Sequence, residues 1–163
     1  MRETALVILA VAAVYRHALT AGDEADDIVP RHGGAAAGEL DKTVVDALHE
    51  DDGEAEAVKI ADKICGLRVF EDENGKMNLN PEAAGCPNLL IISQFTLFAD
   101  CKSRRPGFSK AARPEKAIPL YEKVISLCRE RGFSVGTGEF GADMLVESVN
   151  DGPVTIILDT KEL

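Results

Sequence analysis

Leu89-Leu90-Ile91-Ile92-Ser93-Gln94-Phe95-Thr96-Leu97 is the stretch on which the reading of this chain turns. Its first four residues are apolar and β-rich, which suits a strand buried on both faces. The continuation puts serine, glutamine and threonine where a plain core strand would carry only packing residues. If the strand runs on, Ser93, Phe95 and Leu97 share one face, and Gln94 and Thr96 the other. A buried glutamine needs partners for its amide. Either the strand surfaces here and meets water, or Ser93, Gln94, Thr96 and nearby N–H groups line a pocket walled by Phe95.

On the C-terminal side, Asp100–Lys110 is a polar, basic loop containing Pro106-Gly107. Lys102, Arg104, Arg105, Lys110, Arg113 and Lys116 are opposed there only by Glu115. They form either a solvated loop or a phosphate-contacting rim beside the Ser93–Leu97 segment. Pro114 opens a helix whose stripe is Ala117, Leu120, Tyr121, Val124, Leu127 and Cys128. Pro119 is expected to delay its regular part by a turn, and Gly132 to cap it. Strand-like pieces follow at Phe133–Phe140, Met144–Val149 and Val154–Leu158. Asn150-Asp151-Gly152-Pro153 separates the last two, as a hairpin turn by composition. Gly152-Pro153 also admits a cis peptide.

On the N-terminal side, Ala57, Val58, Ala61, Ile64 and Cys65 recur at helical period, predicting a helix over 54–65. Asp51 and Glu54 have capping-box spacing before it, and Gly66 ends it. Leu67–Phe70 reads as a short strand and Asn74-Gly75 as a tight turn. Ala5–Val14 reads as a buried strand or helix, too short to span a membrane. The rest of residues 1–43 carries no clear element. The order predicts an α+β fold: one domain over 1–163, with a mostly antiparallel or mixed, barrel-like sheet flanked by helices.

With 163 residues the chain can bury a sizeable core without disulfide or metal. A net charge of −10 argues against broad nonspecific nucleic-acid binding and leaves room only for a local basic patch. The four cysteines form no C-x-x-C pair, so no zinc site is expected, and their scatter fits a reducing compartment. His17, His32 and His49 all precede the motif-bearing part, so an imidazole-based triad would have to borrow one from the N-terminal third.

Several of these segments together resemble the D-aminoacyl-tRNA deacylase family. They are Leu67–Asp72, Gly75–Leu79, Ser93–Leu97, Arg104-Arg105-Pro106, Phe140–Met144 and Val149–Thr155. The resemblance runs from about Val44 to Thr160, whereas residues 1–43 diverge and lack the family's Gln-Arg-Val strand. It implies a cytoplasmic homodimer with active sites at the subunit interface, acting on the 3′-terminal adenosine of aminoacyl-tRNA. It implies catalytic positions at Thr96, Ser93, Gln94 and Phe95. Substrate binding and chiral selection would fall to Gly152, Pro153, Asn150, Val154, Thr155 and Met144. A cis Gly152-Pro153 would reject L-amino acids by clash, and glycyl-tRNA would be a further substrate. Lys102, Arg104, Arg105 and Lys110 would contact tRNA. No metal, cofactor or membrane is implied. A hydroxyl without a base is a poor nucleophile, so Thr96 is assigned a positioning role, with the ribose 2′-hydroxyl assisting attack or orienting water. Two alternatives stand beside this: a noncatalytic RNA-end or protein-binding module, and a hydrolase of another ester or amide using a carboxylate such as Asp143 as base.

Overall fold

The computed structural model describes residues 6–11, 42–144, 146 and 154–163. The elements are β1 (Leu6–Val11), β2 (Lys42–Ala47), α1 (Glu54–Gly66), β3 (Phe70–Glu71), β4 (Met77–Leu79), β5 (Asn88–Ser93), a 3₁₀ turn (Phe95–Phe98), α2 (Pro114–Glu130), β6 (Ser134–Thr137) and β7 (Val154–Asp159). Five strands form a mixed sheet in the order β6-β5-β2-β1-β7. β5 pairs in parallel with both β2 and β6, while β1 runs antiparallel to β2 and β7. β3 and β4 make a separate hairpin. The α+β expectation holds; barrel-like closure does not, because β6 and β7 remain the two edges of an open sheet among the described residues.

The parallel half follows from the two helices. Each strand-to-strand crossover needs an intervening element that packs on the sheet, and α1 and α2 provide it. Ile60, Ala61 and Ile64 of α1 and Leu120, Val124 and Cys128 of α2 form one core with Val44, Leu89 and Ile91 of the sheet. Tyr121 ties α2 down further, its hydroxyl donating to the Ile91 carbonyl at 2.7 Å. Lys42 is buried on the same side; its Nζ donates to the Ile64 carbonyl at 2.8 Å, in the last turn of α1 where the helix dipole favours a cation.

The helix ends show where local chemistry decides. α1 starts at Glu54 as expected, but Gly53 and Glu56 form the cap: the Gly53 N–H donates to Glu56 Oε2 at 3.0 Å. Pro119 does not delay α2, which is helical from Pro114; both Pro119 and Glu115, whose carbonyl it leaves unpaired, face water. Gly132, at φ 90°, ends α2 in a Schellman motif, with Phe133 N–H on the Cys128 carbonyl and Gly132 N–H on that of Arg129. Leu67–Val69 are irregular, so β3 covers only Phe70–Glu71. The Asn74-Gly75 turn forms as read, Gly75 at φ 69° and Asp72 Oδ1 accepting from the N–H groups of Asn74 and Lys76. β6 stops at Thr137, and Phe140 lies in a turn. Of Met144–Val149, residues 144 and 146 are not in a strand and the others lie outside the described residues.

Candidate functional site at the ends of the parallel strands

β2, β5 and β6 all point the same way, and a cavity of about 310 Å³ opens beyond their C-terminal ends. In open sheets that is where ligands bind, because the loops leaving parallel strands diverge there. The cavity is lined by Asp46–Leu48 after β2, Ile92–Phe95 after β5, and Phe140–Met144 after β6, with Ala112, Ala117 and Val146. A larger space of about 530 Å³ lies between α2 and Thr137–Phe140, but it holds none of the expected site residues.

The strand at the deciding stretch does not run on to Leu97. β5 ends at Ser93, and Phe95–Phe98 wind into a 3₁₀ turn, with Leu97 N–H on the Gln94 carbonyl and Ala99 N–H on that of Thr96. The alternating faces expected beyond Ser93 are therefore lost. Gln94 is exposed rather than buried, so its amide needs no protein partner. Its N–H donates to the Asp46 carbonyl at 2.8 Å, pinning the exit of β5 to the exit of β2. Phe95 is 56% exposed and packs edge-on against Phe108 at 5.2 Å, so it forms a rim rather than an inner wall.

Of the expected site residues, the structure brings Ser93, Gln94, Phe95 and Met144 to this cavity. Thr96 is exposed and does not line it. Val154 and Thr155 open the edge strand β7, opposite Val11 and Ala10, and do not line it either. Asn150, Gly152 and Pro153 lie outside the described residues. Lys102, Arg104, Arg105 and Lys110 are all exposed. Their loop is closed by paired backbone bonds between Asp100 and Gly107 and leads through Phe108 to the Phe95 rim. Lys102 sits 3.5 Å from Asp100, whose carboxyl is held below the usual range first by the Lys102 backbone N–H.

One neighbour carries no motif signature in the sequence analysis. Asp46 lies in the cavity lining and is 2% exposed; burial, and then the nearby Asp52 charge, push its carboxyl up to about 7. Its only mark is a charge in the apolar run Thr43-Val44-Val45-Asp46-Ala47-Leu48, in phase with core-facing Val44. His49 is buried three residues on, its Nδ1 accepting from Asp51 N–H at 3.0 Å and its ring edge-on to Phe98.

Met144 is positioned by Gly138. A Cβ at residue 138 would meet the Met144 sulfur and methyl, and no bulkier residue fits without moving that side chain. Gly138→Ala is expected to push Met144 within the cavity and raise KM for a bound substrate several-fold. Because the clash is with the end of a flexible side chain, stability should change by less than about 1 kcal/mol. An unchanged KM would show that Met144 makes no substrate contact.

An open mixed sheet, two helices on one face and a cleft at the parallel strand ends define an α+β protein with a pocket built mainly from backbone turns. Residues 38–159 match the family described as D-Tyr-tRNA(Tyr) deacylase, and the chain belongs to that family. It is 54% identical over 113 residues to a D-aminoacyl-tRNA deacylase of Clostridioides difficile, covering 69% of this chain and 75% of that one. A D-aminoacyl-tRNA deacylase of Alteromonas mediterranea is 50% identical over 125 residues, 75% of this chain and 86% of its own. A solved structure described as c-Myc DNA Unwinding Element Binding Protein superposes with TM-score 0.73 at 29% identity, covering 94% of this chain and 97% of that one. A second, of a probable eukaryotic D-amino acid tRNA deacylase, has TM-score 0.73 at 16% identity over 96% of this chain and 99% of its own; it supports the fold alone. No described helix is long and apolar enough to cross a membrane.

Proposed function

We propose that this chain hydrolyses the ester bond of D-aminoacyl-tRNA, a proofreading activity that frees tRNA from D-amino acids. The observation carrying the reading is the cavity where Ser93, Gln94, Phe95 and Met144 meet at the ends of the parallel strands, in a chain of this family. The terminal adenosine and its ester enter there. Backbone N–H groups at the exit of β5, other than that of Gln94, which the Asp46 carbonyl holds, stabilise the oxyanion, and the ribose 2′-hydroxyl orients the attacking water. Thr96 positions the acceptor end from the rim. The exposed Lys102, Arg104, Arg105 and Lys110 contact tRNA phosphates, a local and salt-sensitive interaction in so acidic a chain.

Chiral selection belongs to Asn150–Thr155 in this reading. Gly152-Pro153, taken as cis, projects from one subunit of a homodimer into the partner's pocket and excludes L-side chains by clash. Glycyl-tRNA, with no side chain to exclude, is then a further substrate. Residues 1–163 act as one domain in the cytoplasm; the pairing of β1 with β7 supports the first of these.

Deacylation of D-Tyr-tRNA beside L-Tyr-tRNA tests the proposal. Release of the D form alone is the expected result. Release of neither by a folded sample would favour the noncatalytic binding module, a reading in line with the binding function named for one of the similar structures.

A further inference from the structure

We infer that Phe95 and Phe108 form a stacking platform for the base of the nucleotide that precedes the terminal adenosine, an inference that rests on the deacylase reading above for the identity of the strand. They are the two exposed phenylalanines among six, at 56% and 37%. Singly exposed apolar side chains are ordinary; two aromatic rings in contact at the mouth of a cavity are not. Phe95 lines the cavity and Phe108 does not, so the pair carries the rim outward. The rings meet edge-on, 5.2 Å between centroids and 81° between planes. Such a contact covers one face of one ring at most and leaves π-faces open to a base.

Size and charge say what occupies the platform. The cavity of about 310 Å³ stands near the lower bound of roughly 300 Å³ for ligand pockets, enough for one nucleoside with its aminoacyl group and no more. The preceding nucleotide must then lie outside, where the strand passes over the rim. Within Asp100–Lys110, Lys102, Arg104, Arg105 and Lys110 are opposed by Asp100 alone, in a chain of net charge −10. A basic track beside exposed aromatic rings is the arrangement that holds a single strand, with phosphates on the cations and bases on the rings.

The two rings are also held in place. Phe95 opens the 3₁₀ turn, directly after Gln94, whose N–H is fixed to the Asp46 carbonyl at the exit of β2. On the other side, Asp100 and Gly107 exchange N–H to carbonyl bonds at 2.8 and 3.0 Å, one residue before Phe108. The Phe108 carbonyl accepts from Ala111 N–H at 3.2 Å, and Ala112 N–H donates to the Leu48 carbonyl at 2.8 Å. Both rings therefore rest on backbone already tied to the ends of β2 and β5, and little ordering is left for the strand to induce.

The test uses the full chain with D-Tyr-tRNA, the D-tyrosyl ester of the trinucleotide CCA, and D-tyrosyl-adenosine. Phe108→Ala should raise KM for tRNA and trinucleotide roughly 5- to 150-fold, the usual span for one stacked base, and change kcat little. It should leave D-tyrosyl-adenosine unaffected, which a general disturbance of the cavity would not do. Phe108→Trp should keep the wild-type KM. The chain has no tryptophan, so this variant also carries a single indole, whose fluorescence uncharged CCA should quench and adenosine should not. A KM that is unchanged for all three substrates, or raised equally for all, overturns the inference and leaves the deacylase reading standing. So does a Phe108→Ala protein whose oligomer dissociates while its KM for the trinucleotide stays the same; the rings then meet a second copy of the chain. A wild type that releases no D-tyrosine overturns the deacylase reading, and the fluorescence alone then decides the platform: quenching by CCA sustains it, and no quenching overturns it.

Discussion

Ile64→Ala is expected to lower the free energy of unfolding by about 3–5 kcal/mol. Ile64 is 0% exposed and belongs to the shared core of α1, α2 and the sheet. Truncation there loses the transfer energy of three carbons and leaves a cavity that rigid neighbours on both helices cannot fill. The same residue offers its carbonyl to Lys42, so any shift of α1 also loosens the partner of a buried ammonium. For a chain of this length the loss corresponds to a fall in Tm of roughly 2–4 °C per kcal/mol. Ile64→Val, one methylene smaller, should cost only about 0.5–1.5 kcal/mol. Urea unfolding of the two variants decides the matter; a cost below about 1 kcal/mol for alanine would mean that the helix interface repacks freely.

Asp46→Asn should make the protein more stable at pH 8. The folded carboxyl is raised from its ordinary 3.8 to about 7, so the folded state holds the proton more tightly than the unfolded chain. Stability from this group is then greatest below pH 4, falls as pH rises between about 4 and 7, and is at its lowest above 7. The full difference is roughly 4 kcal/mol. A buried asparagine amide with incomplete partners returns about 1–3 kcal/mol of that. The expected net gain at pH 8 is therefore about 1–3 kcal/mol, and it reverses to a loss of about 1–3 kcal/mol near pH 4, where wild-type Asp46 is already neutral. Lys42 works in the opposite window: burial lowers it to about 8, so its cost is relieved only as pH climbs from 8 towards 10.5. Denaturant midpoints of wild type and Asp46→Asn at several pH values separate the two groups. A stability difference that does not change with pH would sink this account of Asp46.

The legible parts of the sequence were those with a period. α1 and α2 announced themselves through apolar residues at helical spacing, and β5 through an uninterrupted β-branched and leucine run. The Asn74-Gly75 turn and the Gly132 cap were legible because left-handed backbone favours glycine. The exit of β5 was not, since a 3₁₀ turn of four residues has no repeat long enough to oppose an alternating reading. Of the two alternatives left open there, the exposed Gln94 and Phe95 agree with the chain surfacing, and not with a buried glutamine behind a Phe95 wall. The site was half legible: Ser93, Gln94, Phe95 and Met144 converge, but Thr96 sits outside the lining. Asp46 escaped because a lone charge in an apolar run gives no motif, and only the fold shows that it faces Ser93 across the ladder. β1 needed its pairing with β2 and β7, because its own residues carry no signal that separates strand from helix.

The register of β1 has a practical consequence for anyone handling the protein. Leu6 lies opposite Asp159 on one side and Ala47 on the other, so the start of β1 and the end of β7 leave the sheet together, beside the exit of β2. Antiparallel partners stand only about 5 Å apart, so a short graft from Asp159 to Leu6 would close the chain into a ring with its new ends free to be cut elsewhere. The same corner borders the mouth of the cavity. A linker grafted between Asp159 and Leu6 would therefore lie close to Ala47 of the cavity lining, and activity is best compared with and without it.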